Sequence, residues 1–248
     1  MRLLKIILTS CFCDFKIENG REVASELIRR NGLFDAFKSV WVKDARVLII
    51  SSDPEDTRGN DELCARMRDT FSLSGLSVSK IDICDSRNPE SAERLCEVDV
   101  LVLAGGHVPT QNRFMKEIGL RERLTDYRGS IVALSAGSMN CADTVYAIPE
   151  LDGEAIDSSY KRWIDGLGLT DVNIFPHYQY LRGVCVDGLR MAEDIAFADS
   201  MGKEIIALND GSYIFISDGK TKIFGESYMI KDGKQRLLCR DGESYQLK

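Results

Sequence analysis

The chain has 248 residues, of which 44% are hydrophobic and 29% are charged, and its formal net charge is −7. This composition is typical of a globular enzyme and argues against a disordered, collagen-like or disulfide-rich protein. The net negative charge, without any run of Lys or Arg, argues against nucleic acid or an anionic membrane as a partner. The sequence contains no linker or internal repeat, so we expect one domain over residues 1–248.

The first ten residues combine positive charge with a short apolar run, as the start of a secretory signal does. A signal needs an apolar stretch of roughly 7–15 residues, whereas Lys5 interrupts the run and Ile6 to Leu8 is too short. We therefore interpret Leu3–Thr9 as the first buried strand. No stretch approaches the roughly 18 apolar residues that a membrane-spanning helix needs.

Apolar β-branched runs then alternate with helical patterns. Strands are predicted at Leu3–Thr9, Arg46–Ser51, Leu76–Ile83, Val98–Ala104 and Ser130–Leu134. Helices are predicted at Glu22–Ile28, around Leu33–Trp41, and at Asn60–Phe71, Pro89–Cys96 and Thr110–Leu124. This order predicts an α/β fold with a mostly parallel sheet and helices on both of its faces.

The last third of the chain has a different pattern. Val186–Ala198 is predicted to be helical, and Asp-Gly pairs separate the short apolar runs that follow it. Asp-Gly between alternating strands is a strong hairpin signal. We therefore expect antiparallel strands added to the sheet, at Glu204–Leu208, Ser212–Ile216, Lys222–Phe224 and Tyr228–Ile230.

The eight cysteines lie mostly within apolar patterns. Cys11-Phe-Cys13 is a CxC pair, and no second pair with metal-ligand spacing follows it. We interpret the cysteines as reduced residues that pack like small hydrophobic side chains in a cytoplasmic protein.

Two strand ends carry candidate functional residues, because ligands of open parallel sheets bind beyond the carboxyl ends of the strands. Gly105 and Gly106 follow the strand Val98–Ala104. Two glycines permit a tight turn whose free backbone N–H groups can hold a phosphate or an oxyanion. A plain structural turn is the alternative at this position.

The strand Ser130–Leu134 continues into Ser-Ala-Gly-Ser, which matches the nucleophile-elbow pattern with Ala133 in place of the first glycine. Such an elbow places Ser135 on a strained strand-to-helix turn and requires small neighbours such as Gly137. The N–H of Ala136 would then point at the carbonyl under attack. A structural turn is again the alternative.

A serine nucleophile needs a base, and the sequence contains only two histidines. His177 follows an apolar strand that Pro176 ends, and His107 lies beside the glycine turn. We favour His177 for its position. The carboxylate that orients the imidazole is expected at Asp210, which follows another buried strand, with Glu150 as the second candidate.

Together these residues resemble the S51 serine peptidases, the family that contains aspartyl dipeptidases and cyanophycinases. The resemblance extends from about Lys5 to Phe224. The motifs that carry it are Ala104-Gly-Gly106, Ala133-Leu-Ser-Ala-Gly137, Phe175-Pro-His177 and Leu208-Asn-Asp-Gly211. It implies a class I glutamine-amidotransferase-like, flavodoxin-like fold in which serine replaces the amidotransferase cysteine.

The resemblance also implies a mechanism, namely hydrolysis of short peptides through an acyl-enzyme. Ser135 attacks the peptide carbonyl while His177 takes its proton, and Asp210 holds the imidazole. The oxyanion site comprises Gly105, Gly106 and the N–H of Ala136. The family usually has Glu where Asp210 stands, and it needs neither a metal nor a cofactor.

Substrate preference and function class stay open at this point. His107 and Arg182 are possible substrate-binding residues, and Arg190 is also available. The longer Gly- and charge-rich loop of aspartyl dipeptidases is missing after His177, so a preference for N-terminal Asp is not supported. The alternatives are an amidotransferase-like amide hydrolase and a non-catalytic binding protein on the same fold. The chain is expected to be a monomer or a homodimer.

Overall fold

A large mixed β-sheet organises the protein in a computed structural model, which describes residues 4–14, 16–18 and 20–247. The strands in chain order are β1 (Lys5–Thr9), β2 (Lys16–Glu18), β3 (Arg21–Val23), β4 (Ala45–Ile50), β5 (Val78–Cys84), β6 (Val100–Leu103), β7 (Ser130–Leu134), β8 (Thr144–Tyr146), β9 (Trp163–Asp165), β10 (Asn173–Phe175), β11 (Cys185–Val186), β12 (Leu189–Arg190), β13 (Glu204–Leu208), β14 (Tyr213–Ser217), β15 (Lys220–Phe224), β16 (Ser227–Lys231), β17 (Lys234–Cys239) and β18 (Ser244–Gln246).

Helices connect these strands. The α-helices are α1 (Leu33–Val40), α2 (Thr57–Leu73), α3 (Val108–Glu117), α4 (Leu120–Leu124), α5 (Ala136–Asn140), α6 (Tyr178–Leu181) and α7 (Phe197–Asp199). The described residues also include 3₁₀ segments at Arg30–Gly32 and Pro89–Glu97 and a π-helical segment at Met191–Ala196. Within the described ranges, no helix is both long and apolar enough to cross a membrane.

The large sheet has the strand order β18-β15-β14-β1-β7-β6-β4-β5. The pairs from β1 to β5 are parallel, and β14, β15 and β18 add to the β1 edge in antiparallel fashion. Successive side chains of each strand point to opposite faces of the sheet and belong to two separate cores. Ile6, for example, belongs to one core and Ile7 to the other. The predicted α/β fold with antiparallel C-terminal strands is therefore confirmed.

A second sheet has the order β10-β13-β16-β17. Its first pair is parallel and the other pairs are antiparallel. The predicted strands Glu204–Leu208 and Tyr228–Ile230 belong to this sheet and not to the large one, which corrects the expectation of a single extended sheet. Strands β17 and β18 were not predicted at all, because their mixed polar sequences lack a clear apolar alternation.

The predicted helix Glu22–Ile28 is wrong. Its first residues form strand β3, and the backbone N–H of Ile28 donates to the carbonyl of Phe12 at 2.8 Å rather than to a residue one turn earlier. Leu27 and Ile28 are only 2% and 8% exposed. The apolar spacing that suggested a helix thus reflects contact of an extended segment with the core.

Two further helices differ from prediction. The expected helix Thr110–Leu124 is divided into α3 and α4 by Gly119, which has a φ of 59°. The expected helix Val186–Ala198 begins only at Met191, because Asp187-Gly188 forms a turn between β11 and β12. Leu3, the predicted first residue of β1, lies outside the described residues.

Register places the carboxyl ends of three strands together. Leu103 of β6 is opposite Ala133 of β7, and Thr9 of β1 is opposite Leu134. The residues that follow these strands therefore meet at one edge of the large sheet. In the second sheet, Phe175 is opposite Ala207, so the segments after β10 and β13 also run side by side.

Candidate active site

Ser135 lies in a restricted backbone conformation between β7 and α5, with φ 43° and ψ −114°. A positive φ at a residue with a Cβ is uncommon and requires support from its surroundings. That support includes the Ser135 N–H, which donates to the carbonyl of Thr9 at 2.8 Å. The turn therefore fixes Ser135 at the carboxyl edge of the sheet.

The turn around Ser135 requires small neighbours, as the elbow pattern predicts. A Cβ added to Gly137 would lie 2.4 Å from the carbonyl oxygen of Leu103. A Cβ on Gly106 would lie 2.4 Å from the Ser52 hydroxyl oxygen. The close approach of α5 to the end of β6 therefore excludes a larger residue at Gly137, and the side chain of Ser52 occupies the space beside Gly106.

His177 and Asp210 form a hydrogen-bonded pair beyond the ends of β10 and β13. The imidazole Nδ1 lies 2.7 Å from a carboxylate oxygen of Asp210, and the two side chains are 23% and 16% exposed. Since the carboxylate accepts, this bond assigns the proton to Nδ1 and leaves Nε2 as an acceptor. The backbone N–H of Asp210 donates to the side-chain oxygen of Gln179 at 3.0 Å, which holds the acid in place.

Ser10 connects the two sheets at this point. It follows β1, and its hydroxyl donates to the carbonyl of Leu208 at 3.1 Å. The same oxygen accepts the backbone N–H of His177 at 3.1 Å. The pair from the second sheet is thereby fixed relative to the end of β1, next to which Ser135 lies.

A cavity of about 290 Å³ brings these elements together. Ser135 and His177 both border it, together with Ser10, Cys11, Phe12, Cys13, Leu63, Arg66, Met67, Thr70, Gly105, Gly106 and Leu134. A serine on a strained turn, a histidine oriented by a carboxylate and a glycine turn therefore border one cavity.

Residues 34–224 of the chain match the sequence model of peptidase family S51. The chain belongs to peptidase family S51. It is therefore a hydrolase of the peptidase class.

Solved structures show the same fold as this S51 peptidase. A crystal structure of a peptidase from an acI-B1 Actinobacterium is 14% identical, with a TM-score of 0.66 over 99% of this chain and 98% of that one. A putative peptidase E protein from Listeria monocytogenes EGD-e is 16% identical, with a TM-score of 0.57 over 95% of this chain and 99% of that one. No curated protein matches the sequence of this chain.

Glu150, the second candidate for the acid, has a different environment from Asp210. The pKa of its carboxyl is raised to about 7, chiefly by burial and also by the negative charge of Glu154, while His177 opposes the rise. Among the described residues, Asp210 supplies the one carboxylate that hydrogen-bonds the His177 ring. The S51 peptidase thus has one acid bonded to the imidazole and a second, desolvated acid within electrostatic range of it.

The other histidine has partners away from the cavity. His107 Nδ1 lies 2.8 Å from the Thr110 hydroxyl, and Nε2 lies 2.9 Å from a carboxylate oxygen of Glu154. His107 is not among the residues that border the cavity. It connects helix α3 to the segment after β8.

The candidate substrate-binding arginines also lie elsewhere. Arg182 is exposed at the end of α6, and Arg190 forms an ion pair with Asp194 at 2.9 Å. Neither borders the cavity that Ser135 and His177 share. The arginine that does border it is Arg66 of α2, which lies 3.0 Å from Glu22.

Sequence reasoning missed several residues at this site. Ser10 directly follows a predicted strand, so the strand-end rule that selected Ser135 could have selected it too. The helix α2 residues Leu63, Arg66 and Met67 gave no such signal, because a helix face that borders a cavity has the same apolar spacing as one that contacts the core.

Two thiols in the cavity wall also differ in acidity. The Cys11 thiol donates to the carbonyl of Cys13 at 2.7 Å. Its hydrogen bond to the Cys13 thiol raises the pKa of Cys11 and lowers that of Cys13, while burial raises both. Ser25 and the positive charge of Arg66 lower the pKa of Cys13 further. Cys13 is therefore the more acidic thiol of the pair.

Proposed function

We propose that this S51 peptidase is a serine-type enzyme that hydrolyses short peptides through an acyl-enzyme, with Ser135 as nucleophile, His177 as base and Asp210 as the orienting acid. The observation that carries the proposal is that Ser135, on its strained turn, and His177, bonded to Asp210, border the same cavity. A cavity of about 290 Å³ fits a short peptide segment and not a folded protein.

In the proposed reaction the Ser135 hydroxyl oxygen attacks the peptide carbonyl carbon while His177 Nε2 takes the hydroxyl proton. Asp210 accepts from Nδ1, so the imidazole keeps the tautomer that has a free Nε2 and gains stabilisation when it becomes charged. His177 then gives the proton to the leaving amine. Water then attacks the acyl carbon while His177 Nε2 takes its proton. The bond from the acyl carbon to the Ser135 oxygen breaks, that oxygen receives the proton from His177, and the carboxylic acid product leaves.

The proposed oxyanion donors are the backbone N–H groups of Gly106 and Ala136. Neither N–H has a hydrogen-bond acceptor in the described part of the chain. Two free donors beside the nucleophile stabilise the negative oxygen of the tetrahedral intermediate, and one such donor typically contributes a factor of roughly 10²–10³ in kcat. Gly105 allows the backbone of this turn to lie close to Ser135, since a Cβ there would be 3.2 Å from the Ser135 Cβ.

Covalent labelling with a fluorophosphonate probe tests the nucleophile. We expect wild type to be labelled and Ser135→Ala not to be, with Ser158→Ala, an exposed serine outside the cavity wall, as the labelled control. Labelling that survives in Ser135→Ala contradicts the assignment.

Mutation of each histidine tests the base. His177→Ala should lose peptidase activity, whereas His107→Ala should retain most of it, because His107 hydrogen-bonds Thr110 and Glu154 outside the cavity wall. The reverse result would exchange their roles. A panel of dipeptides and tripeptides assayed with wild type and Ser135→Ala completes the test, and no Ser135-dependent turnover would favour an amide hydrolase or a binding protein.

Asp210→Asn tests the proposed orienting acid, the third residue of the catalytic set after Ser135 and His177. Loss of the carboxylate removes the acceptor for Nδ1, and comparable changes in serine proteases lower kcat by roughly 10⁴. Glu150→Gln should reduce kcat far less, since His177 hydrogen-bonds Asp210. If Glu150→Gln has the larger effect, Glu150 takes the role instead.

A further inference from the structure

We propose that the cavity beside Ser135 binds the apolar side chain of the substrate residue whose carbonyl Ser135 attacks, so that the enzyme cleaves after Leu, Met or Phe in preference to Asp or Glu. The inference rests on the proposed function, because it takes Ser135 as the nucleophile. It adds a substrate class and the residues that select it.

Much of the cavity wall next to Ser135 is apolar and packs against the core. Phe12 and Met67 are 2% and 5% exposed, and Leu63 and Leu134 are partly buried against the same core. Leu63 and Met67 are one turn apart on α2 and therefore lie on one face of this 17-residue helix. Phe12 contacts Phe37 and Phe71, with ring centroids 5.5 and 6.0 Å apart. The core aromatic residues thus pack against the side of Phe12 that faces away from the cavity.

Three polar groups of the wall, those of Arg66, Ser10 and Cys11, already have partners. Arg66, whose side chain is 30% exposed, has Glu22 at 3.0 Å as its counterion. The Ser10 hydroxyl donates to Leu208 and accepts from His177, and the Cys11 thiol donates to the carbonyl of Cys13. A carboxylate that enters the cavity would have to compete with Glu22 for Arg66. An apolar side chain would displace water from apolar surface, which favours its binding.

The covalent structure of a peptide indicates which of its side chains would enter the cavity, namely that of the residue on the acyl side of the scissile bond. The carbonyl oxygen must point at the proposed donors Gly106 and Ala136, and its carbon must contact the Ser135 hydroxyl. The side chain of the acyl residue branches one bond from that carbon, whereas the side chain of the leaving residue branches beyond the nitrogen. Gly105, Gly106 and Ser135 all border the cavity, so the nearer side chain enters it.

A substrate panel tests the preference directly. The substrates carry Ala, Leu, Met, Phe, Asp, Glu or Lys as the acyl residue and one constant leaving group, and a second series varies the leaving residue after a constant Leu. We expect kcat/KM for Leu, Met and Phe to exceed that for Ala by roughly 10- to 100-fold, since each buried methylene adds several-fold. Acidic acyl residues should be the poorest. A preference for Asp or Glu, or selectivity confined to the leaving residue, overturns the inference.

Two variants of the cavity wall should change the preference for large apolar side chains in opposite directions. Leu63→Trp fills the space and should lower the ratio of kcat/KM for Phe over Ala by at least about tenfold. Met67→Ala enlarges the space and should raise the ratio for Phe over Leu. Glu62→Gln, an exposed neighbour on the same helix, is the matched control and should leave both ratios unchanged. Unchanged ratios in both wall variants overturn the inference.

Labelling separates this inference from the proposed function. Each variant is treated with the fluorophosphonate probe, which reports a folded protein with a reactive Ser135 whatever the side-chain preference. Labelled Ser135 without an apolar preference overturns the inference and leaves the proposed function intact. Absence of Ser135 labelling in wild type overturns both. A wall variant that fails to label is replaced by Leu63→Phe, a smaller increase in volume at the same position.

Discussion

Replacement of Glu150 by glutamine should change how the stability of the protein depends on pH. Burial is the largest cause that raises the pKa of the Glu150 carboxyl from its ordinary value of 4.5 to about 7, and Glu154 adds to the rise. His177 opposes it. The folded chain therefore keeps a proton on Glu150 over a pH range in which the unfolded chain has released it.

The sign and the size of the effect follow from this difference. Because the folded state binds more protons between pH 4.5 and about 7, the free energy of unfolding falls as the pH rises through that window. At about 1.4 kcal/mol per pH unit, an interval from 4.5 to about 7 corresponds to about 3 kcal/mol. This contribution to stability is complete below pH 4.5 and is lost once the pH passes about 7.

Urea unfolding at several pH values from about 5 to about 8 measures the effect. The glutamine variant has no proton to lose at this position, so its stability relative to wild type should rise by up to about 3 kcal/mol across the window. Asp152→Asn, which alters an exposed carboxylate two residues away, is the control for a general change in net charge. A wild-type-minus-variant difference that is the same at both ends of the range refutes the reasoning.

Three further outcomes are expected. Gly137→Ala places a methyl group 2.4 Å from a backbone carbonyl and should lower the free energy of unfolding by about 1–3 kcal/mol in urea titrations, whereas Gly183→Ala, with no atom within 4 Å, should have a much smaller effect. Iodoacetamide should alkylate Cys13 faster than Cys11 near neutral pH, as peptide mass mapping would show, because the Cys13 pKa is lowered and the Cys11 pKa is raised. Ser10→Ala should cost about 1–3 kcal/mol of stability, because the partly buried His177 N–H and the buried Leu208 carbonyl lose their partner; a neutral effect would contradict this role.

The parallel part of the fold was predictable because its strands are continuous apolar runs. Runs such as Arg46–Ser51 and Ser130–Leu134 supply side chains to the cores on both faces of the sheet. Apolar runs of this kind that alternate with helical patterns are typical of parallel strands. The sheet to which a C-terminal strand belongs was not predictable in this way. Strand β13 pairs in parallel with β10, about thirty residues earlier in the chain, and no local signal records such a partner.

The failed helix at Glu22–Ile28 shows a different limit. The spacing of apolar residues indicates which side chains are buried, and Leu27 and Ile28 are indeed buried. Their backbone N–H groups bond to Ser74 and Phe12, residues distant in sequence. Such tertiary hydrogen bonds satisfy the backbone N–H groups of an extended segment as well as helical hydrogen bonds would. The periodicity of apolar residues alone therefore could not distinguish a helix from an extended segment here.

The placement of the two acids is where structure adds most to the sequence. Asp210 and Glu150 both follow apolar segments, and the sequence favours Asp210 only because it comes directly after a predicted buried strand. In the structure, Asp210 accepts a hydrogen bond from the imidazole, whereas burial and the neighbouring Glu154 favour the neutral form of Glu150. A carboxylate that is to stabilise a charged imidazole must itself be charged when the imidazole gains its proton. Glu150 meets that condition only above about pH 7, and for that reason we propose Asp210 rather than Glu150 as the orienting acid.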